Sequence, residues 1–192
     1  MTSSTSATPH SVKRGRSMLI ALAVLFFGSM LLAGVLRFSG WQPASMRNHG
    51  ELLKPPADLR ALVPLRANGQ PYAWAPIERV WRIVLAPPPN CTQQCVTLAA
   101  ELDKVWQLLG HRADKVEVLW IGTPPTGLPP MPALRVLRED ARLRQALLPR
   151  AADAAGVPVY VIDPNGFVIL RYAPGFDPAG LRADLVKLLK LM

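Results

Sequence analysis

The hydrophobic pattern changes character twice along the chain. Met18–Leu36, MLIALAVLFFGSMLLAGVL, is a run of 19 residues without a charge. At ~1.5 Å per residue a helix of that length reaches about 28 Å, enough for the hydrocarbon layer of a bilayer. Residues 37–79 show neither a helical nor a strand period. Pro43, Pro55, Pro56, Pro64, Pro71 and Pro76 forbid a long helix there. Asn68-Gly69 is a turn signal between short apolar segments and predicts a small hairpin, 60–66 with 72–75.

From Val80 onward the elements alternate. Val80–Leu85 reads as a strand with Arg82 inside it. Thr92–Leu109 carries apolar residues at Val96, Leu98, Ala99, Leu102, Val105, Trp106 and Leu109, the spacing of a helix, and Gly110 suits its C-terminus. Lys115–Gly122 reads as a second strand, followed by the loop TPPTGLPPMP. Ala133–Leu148 has helical composition, with Pro149 to stop it. Val157–Ile162 and Phe167–Tyr172 flank Asp163-Pro164-Asn165-Gly166, a hairpin turn. Asp177 caps a last helix with Pro178 at its first position and Leu181, Leu185, Leu188 and Leu189 as its buried stripe. The order β-α-β-α-β-β-α predicts an α/β domain in which a four-stranded central sheet is flanked by helices, the thioredoxin arrangement. The chain thus divides into a disordered tail (1–17), a transmembrane helix (18–36), a Pro-rich lead-in (37–79) and a thioredoxin-like domain (80–192).

Charge gives the span an orientation. Lys13, Arg14 and Arg16 precede it and only Arg37 follows closely. The positive-inside rule then leaves the N-terminus in the cytoplasm and the C-terminal domain in the periplasm, with a single pass through the inner membrane. A cleaved leader would have a shorter apolar core and a small-x-small site, whereas this run ends VLRFSGW. A retained anchor is expected, with Trp41 as an interfacial aromatic. The formal charge of +9 raises the question of nucleic acid. The arginines are scattered among Leu and Pro with no basic-aromatic block, so a solvated face beside lipid headgroups is the reading and nucleic acid is set aside.

Cys91 and Cys95 are the only cysteines among 192 residues. They fall between the first strand and the N-terminus of the first helix of the predicted domain. A helix N-terminus stabilises a thiolate through its free N–H groups and partial positive charge. The i, i+4 spacing puts both sulfurs on one face. On the oxidising side of a membrane such a pair can form a disulfide, exchange thiols or bind a soft metal such as Cu(I). A purely structural disulfide also fits the two residues taken alone.

The single span, the Pro-rich lead-in with NHGELLKP, the strand WRIVLA, the CxxxC and YVIDPNG together resemble the Sco/SenC family, over roughly residues 18–190. These are membrane-anchored copper chaperones that assist assembly of the dinuclear copper centre of cytochrome c oxidase. The resemblance implies copper as the metal, with Cys91 and Cys95 as ligands. A respiratory oxidase subunit or another assembly factor would be the partner. The family's third ligand is a histidine nine residues before the proline of the Asp-Pro turn; counting back from Pro164 gives Ala155. The three histidines, His10, His49 and His111, lie elsewhere. The resemblance therefore implies a divergent branch that acts as a dithiol, by thiol–disulfide exchange or by transient two-coordinate Cu(I) binding. GVPVYVIDPNGFVI also resembles the thioredoxin strand in which a cis-proline faces the active cysteine, which would make Val157–Pro158 a cis bond beside the dithiol. A non-catalytic scaffold that binds a membrane partner, and a general periplasmic thiol–disulfide oxidoreductase, are the alternatives these residues leave open.

Overall fold

The computed structural model describes residues 10–39, 48–147, 150–151 and 153–191, in two compact units, Met1–Met46 and Arg47–Met192. Among its described residues the first unit is built on helix α1, His10–Phe38. It begins upstream of the apolar run, so residues 10–17 of the expected disordered tail are helical. Gly15–Phe38 is long and apolar enough to cross a membrane. Leu19, Leu25, Phe27 and Leu31 are all exposed, an arrangement that water penalises and lipid does not. Trp41 and Pro149 lie outside the described residues.

The second unit is built on a six-stranded mixed sheet in the order β1-β6-β5-β2-β3-β4. Its strands are β1 Glu51–Asp58, β2 Trp81–Leu85, β3 Val116–Ile121, β4 Leu134–Leu137, β5 Val159–Ile162 and β6 Phe167–Tyr172. The helices are α2 Gln93–Gln107, α3 Ala141–Ala146 and α4 Pro178–Leu188. β2, β3 and β4 run parallel, while β5 is antiparallel to both β2 and β6. Alternation along β2 sends Ile83 and Leu85 into one core with α2 and α4, and Val84 into a second core with α3, Leu59, Tyr72 and Trp74.

Two strands join the four that the sequence predicts. The stretch Ala133–Leu148 is not one helix. Leu134–Leu137 pairs in parallel with β3, and only Ala141–Ala146 is helical, after Asp140 accepts hydrogen bonds from the Arg142 and Leu143 amides. The leucines at 134 and 137 mimic one helical face, yet Leu134 packs on the first core and Leu137 is buried in the second, as strand alternation requires. The lead-in supplies the other strand. β1 pairs with β6 through Glu51 and Leu52, then through Ala57 and Asp58, and a bulge between them absorbs Pro55 and Pro56. The predicted turn at Asn68-Gly69 is present, with Gly69 at φ 84°, but the hairpin ladder is reduced to one bridge between Leu65 and Pro71.

The lead-in is held to the sheet by a buried cation. The Arg82 side chain, 2% exposed, donates from Nε to the Tyr72 hydroxyl at 2.9 Å and from Nη2 to the Trp74 carbonyl. Tyr72 in turn donates to Glu117 Oε2 at 2.6 Å. Burial pushes the Tyr72 hydroxyl far above its ordinary pKa, so it stays a donor. Tyr72→Phe should therefore leave Arg82 Nε and Glu117 each short of a partner. We expect a loss of about 1–3 kcal/mol in chemical denaturation followed by tryptophan fluorescence.

Candidate functional site

β2 ends at Leu85 and the chain turns through Pro87–Pro89, with the Cys91 amide donating to the Pro88 carbonyl at 3.1 Å. α2 then starts at Gln93. Thr92 precedes it with φ −112° and ψ −104° and its side chain does not cap the helix. Cys91 and Cys95 are joined by a disulfide, with 5.8 Å between their Cα atoms. The bridge spans the irregular entry to α2, where the sequence places it. The first turn of α2 contains no acidic residue, so nothing there opposes the field that would favour a thiolate after reduction.

The two sulfurs differ in environment. Cys95 is fully buried in the core formed by α2, α4 and the sheet, while Cys91 is half-buried at its margin. An incoming sulfur therefore meets Cys91 first. Cys91 lines an open cavity of about 700 Å³ together with Pro89, Thr92, Pro124 and Arg138; Cys95 does not line it.

The segment before β5 lies against the cysteine spacer. Gly156, at φ 148°, has no room for a side chain, because a Cβ there would stand 2.8 Å from Pro174 and 3.0 Å from Gln94 Nε2. Ala155 is thus adjacent in sequence to a residue in contact with the CxxxC spacer, and Val157 shares a core with Cys95. Pro158 is buried at the head of β5. The cis bond expected at Val157–Pro158 is not found: Lys54–Pro55 is the cis peptide among the described residues. The chain enters β5 there as an ordinary extended strand paired with β2, Val159 opposite Leu85.

Among the described residues no group of three His, Cys, Asp or Glu is placed to hold a metal. His111 is exposed in the 3-10 turn that follows α2, at the far end of that helix from the cysteines. His49 packs against Gly180 of α4, and its amide donates to Asp184 Oδ2 at 2.7 Å. Cys91 and Cys95, once reduced, are two soft donors at one place.

Asp184 is a residue that sequence reasoning missed, although an acid between Leu181 and Leu185 on an apolar stripe was a signal. It is 1% exposed and also accepts from the Gly50 amide at 2.9 Å, the Tyr172 hydroxyl at 2.9 Å and Lys187 Nζ at 3.0 Å. Burial alone would raise its pKa, but these bonds outweigh it and hold the carboxyl below its ordinary value. It fastens the lead-in, at His49 and Gly50, to α4.

The fold and the disulfide at the entry to its first helix define a thioredoxin-like protein. Residues 81–192 match the family model described as transmembrane-like, thioredoxin-like, C-terminal domain, and the chain belongs to that family. No curated protein matches it in sequence. Among solved structures, apo Sco1 from Thermus thermophilus matches at 17% identity with a TM-score of 0.52, over 78% of this chain and 100% of that one. A SCO1/SenC family lipoprotein from Bacillus anthracis matches at 16% and 0.50, over 71% and 98%. BsSco, a member of the Sco family of cytochrome c oxidase assembly proteins in which a disulfide switch has been identified, matches at 11% and 0.53, over 74% and 98%. These spans are longer than residues 81–192, so they take in part of the chain before Trp81.

Two outcomes are expected from this geometry. After reduction, limited alkylation should modify Cys91 at least about ten-fold faster than Cys95, read by peptide mapping. The depressed native pKa of Asp184 means that its contribution is complete above about pH 4 and is lost as the pH falls toward the native value. Asp184→Asn should cost about 2–4 kcal/mol at neutral pH and flatten the acid limb of the stability–pH curve.

Proposed function

We propose that this protein is a membrane-anchored thioredoxin-like factor that assists assembly of cytochrome c oxidase, through the copper-centre subunit or a companion assembly factor, by thiol–disulfide exchange at Cys91 and Cys95. The observation that carries the reading is the disulfide at the entry to α2, one sulfur reachable and the other buried. The Sco-like fold of the neighbours supports the biological setting. Lys13, Arg14 and Arg16, at the N-terminal end of α1 ahead of its apolar run, support an inner-membrane anchor with the domain in the periplasm.

In the reduced protein the Cys91 thiolate attacks one sulfur of a target disulfide and expels the other as a thiolate. The Cys95 thiolate then attacks Cys91 Sγ, breaks the mixed disulfide and releases the second target thiolate. The protons of Cys91 and Cys95 end on the target, and the protein is left with the bridge seen here. A dithiol donor on the same side of the membrane returns it to the reduced state. Copper enters this reading as cargo: the same pair, when reduced, would offer Cu(I) two thiolates, with Ala155 supplying no third donor.

The test is the potential of the Cys91/Cys95 couple in the full-length protein. A redox role requires a value between about −300 and −180 mV, within reach of biological dithiols; a more negative value would make the bridge purely structural. In cells, replacing the protein by a Cys91→Ser/Cys95→Ser variant should lower assembled oxidase, and unchanged assembly under copper limitation would remove the proposed role.

A further inference from the structure

The cavity beside Cys91 has a composition that the exchange chemistry alone does not explain. Its walls include the β2–α2 loop with Pro87 and Pro89, the β3–β4 loop with Pro124 and Pro125, and the end of β4 with Arg138, joined by Glu139 and Arg144. At about 700 Å³ it is of the size that encloses a ligand. Prolines have no N–H to offer, so these walls recognise by shape and apolar contact rather than by backbone pairing.

Charge then distinguishes the two arginines. Arg144 is neutralised by Glu139, and its guanidinium also donates to the Ala86 carbonyl at 2.9 Å and the Pro87 carbonyl at 3.1 Å. It clamps the loop that leads to Cys91, so the wall is formed in advance of any ligand. Arg138 is exposed, makes no ion pair among the described residues, and reaches only the Ala67 carbonyl at 3.4 Å. The groove therefore carries one positive charge without a counter-charge. The unit from Arg47 onward adds to it. Four of the 22 basic residues and none of the 13 acidic ones precede that point, leaving a formal +5.

We propose that this groove docks an extended segment of the thiol partner, one with an acidic side chain a few residues from its reactive cysteine, and that Arg138 pairs with that carboxylate. The proposal rests on the exchange chemistry above and names its substrate class. The buried Cys95 closes the inner side of the bridge, so the partner's sulfur approaches Cys91 from the cavity side, with the remainder of its segment lying along the prolines toward Arg138.

The experiment uses the full-length protein in detergent with Cys95→Ser, which leaves the Cys91 thiol free. Two matched peptides present one cysteine as its 2-pyridyl disulfide, one flanked by glutamates and the other by lysines. The Cys91 thiolate forms a disulfide with the peptide sulfur and expels thiopyridone, whose absorbance gives the rate. Each rate is divided by that of the same protein with neutral dipyridyl disulfide. The normalised rate should favour the acidic peptide by about ten-fold at low salt and fall toward parity at about 0.5 M salt. Arg138→Glu in the same background should invert the preference. Equal normalised rates for the two peptides, or a preference that Arg138→Glu leaves in place, would overturn the groove assignment while leaving the exchange chemistry standing. A Cys91 thiol inert to dipyridyl disulfide itself would overturn that chemistry, and the groove assignment with it.

Discussion

A guanidinium buried at the centre of the sheet sets the terms for the rest of this domain. Arg82 stands in β2, the strand that leads to the cysteines, and points into the second core. A cation there costs several kcal/mol unless its donors are filled and its charge is answered. Nη1 donates to the Val80 carbonyl at 2.8 Å and to the Asp163 and Pro164 carbonyls at 3.3 and 3.2 Å, which ties β2 to the β5–β6 turn. The Tyr72 and Trp74 rings lie 5.7 and 5.5 Å from its Cζ, within cation–π range. The answering negative charge is Glu117 on β3, reached through the Tyr72 hydroxyl and shared with Arg135 of β4. One side chain thus makes the lead-in, β2, β3, β4 and the hairpin turn mutually dependent. From Asn48 onward the Pro-rich lead-in is a structural layer of the domain.

The same dependence reaches the disulfide. β2 delivers the chain to Pro87–Pro89, Arg144 of α3 fixes the carbonyls of that loop, and α2 begins where Cys91 has already been placed. Cys95 follows within the first turn and is anchored by the core that α2 shares with α4. Reduction of the bridge would free only the outer sulfur. The inner one stays among Ala99, Leu102 and their neighbours, in position to close the bond again.

What could be read in the sequence was whatever local chemistry decides. Asp163 accepts hydrogen bonds from the amides of Asn165, Gly166 and Phe167, so the turn is encoded within five residues. Asp177 and Pro178 start α4 for equally local reasons. The place of the cysteines followed from the strand and helix on either side of them. What could not be read was decided by distant partners. Leu134–Leu137 carries the spacing of a helix, and only the neighbouring strand β3 makes it a strand. β1 contains two adjacent prolines, and it becomes a strand because a bulge lets it pair with β6 on either side of them. Asp184 gained its role from amides more than 130 positions away, at His49 and Gly50. The cis bond at Val157–Pro158 was expected from likeness rather than from any local force, and among the described residues the cis peptide is Lys54–Pro55 instead.

The two outer strands of the sheet have a further consequence. On one side Pro55 and Pro56 remove N–H groups from β1. On the other, the Ala67 amide donates to the Val136 carbonyl at 2.9 Å and the Arg138 amide to the Leu65 carbonyl at 2.7 Å, so β4 is already covered. Neither margin presents the long row of unpaired amides and carbonyls on which another chain could grow as an added strand. Copies of the domain can therefore collide side by side without growing into a continuous sheet.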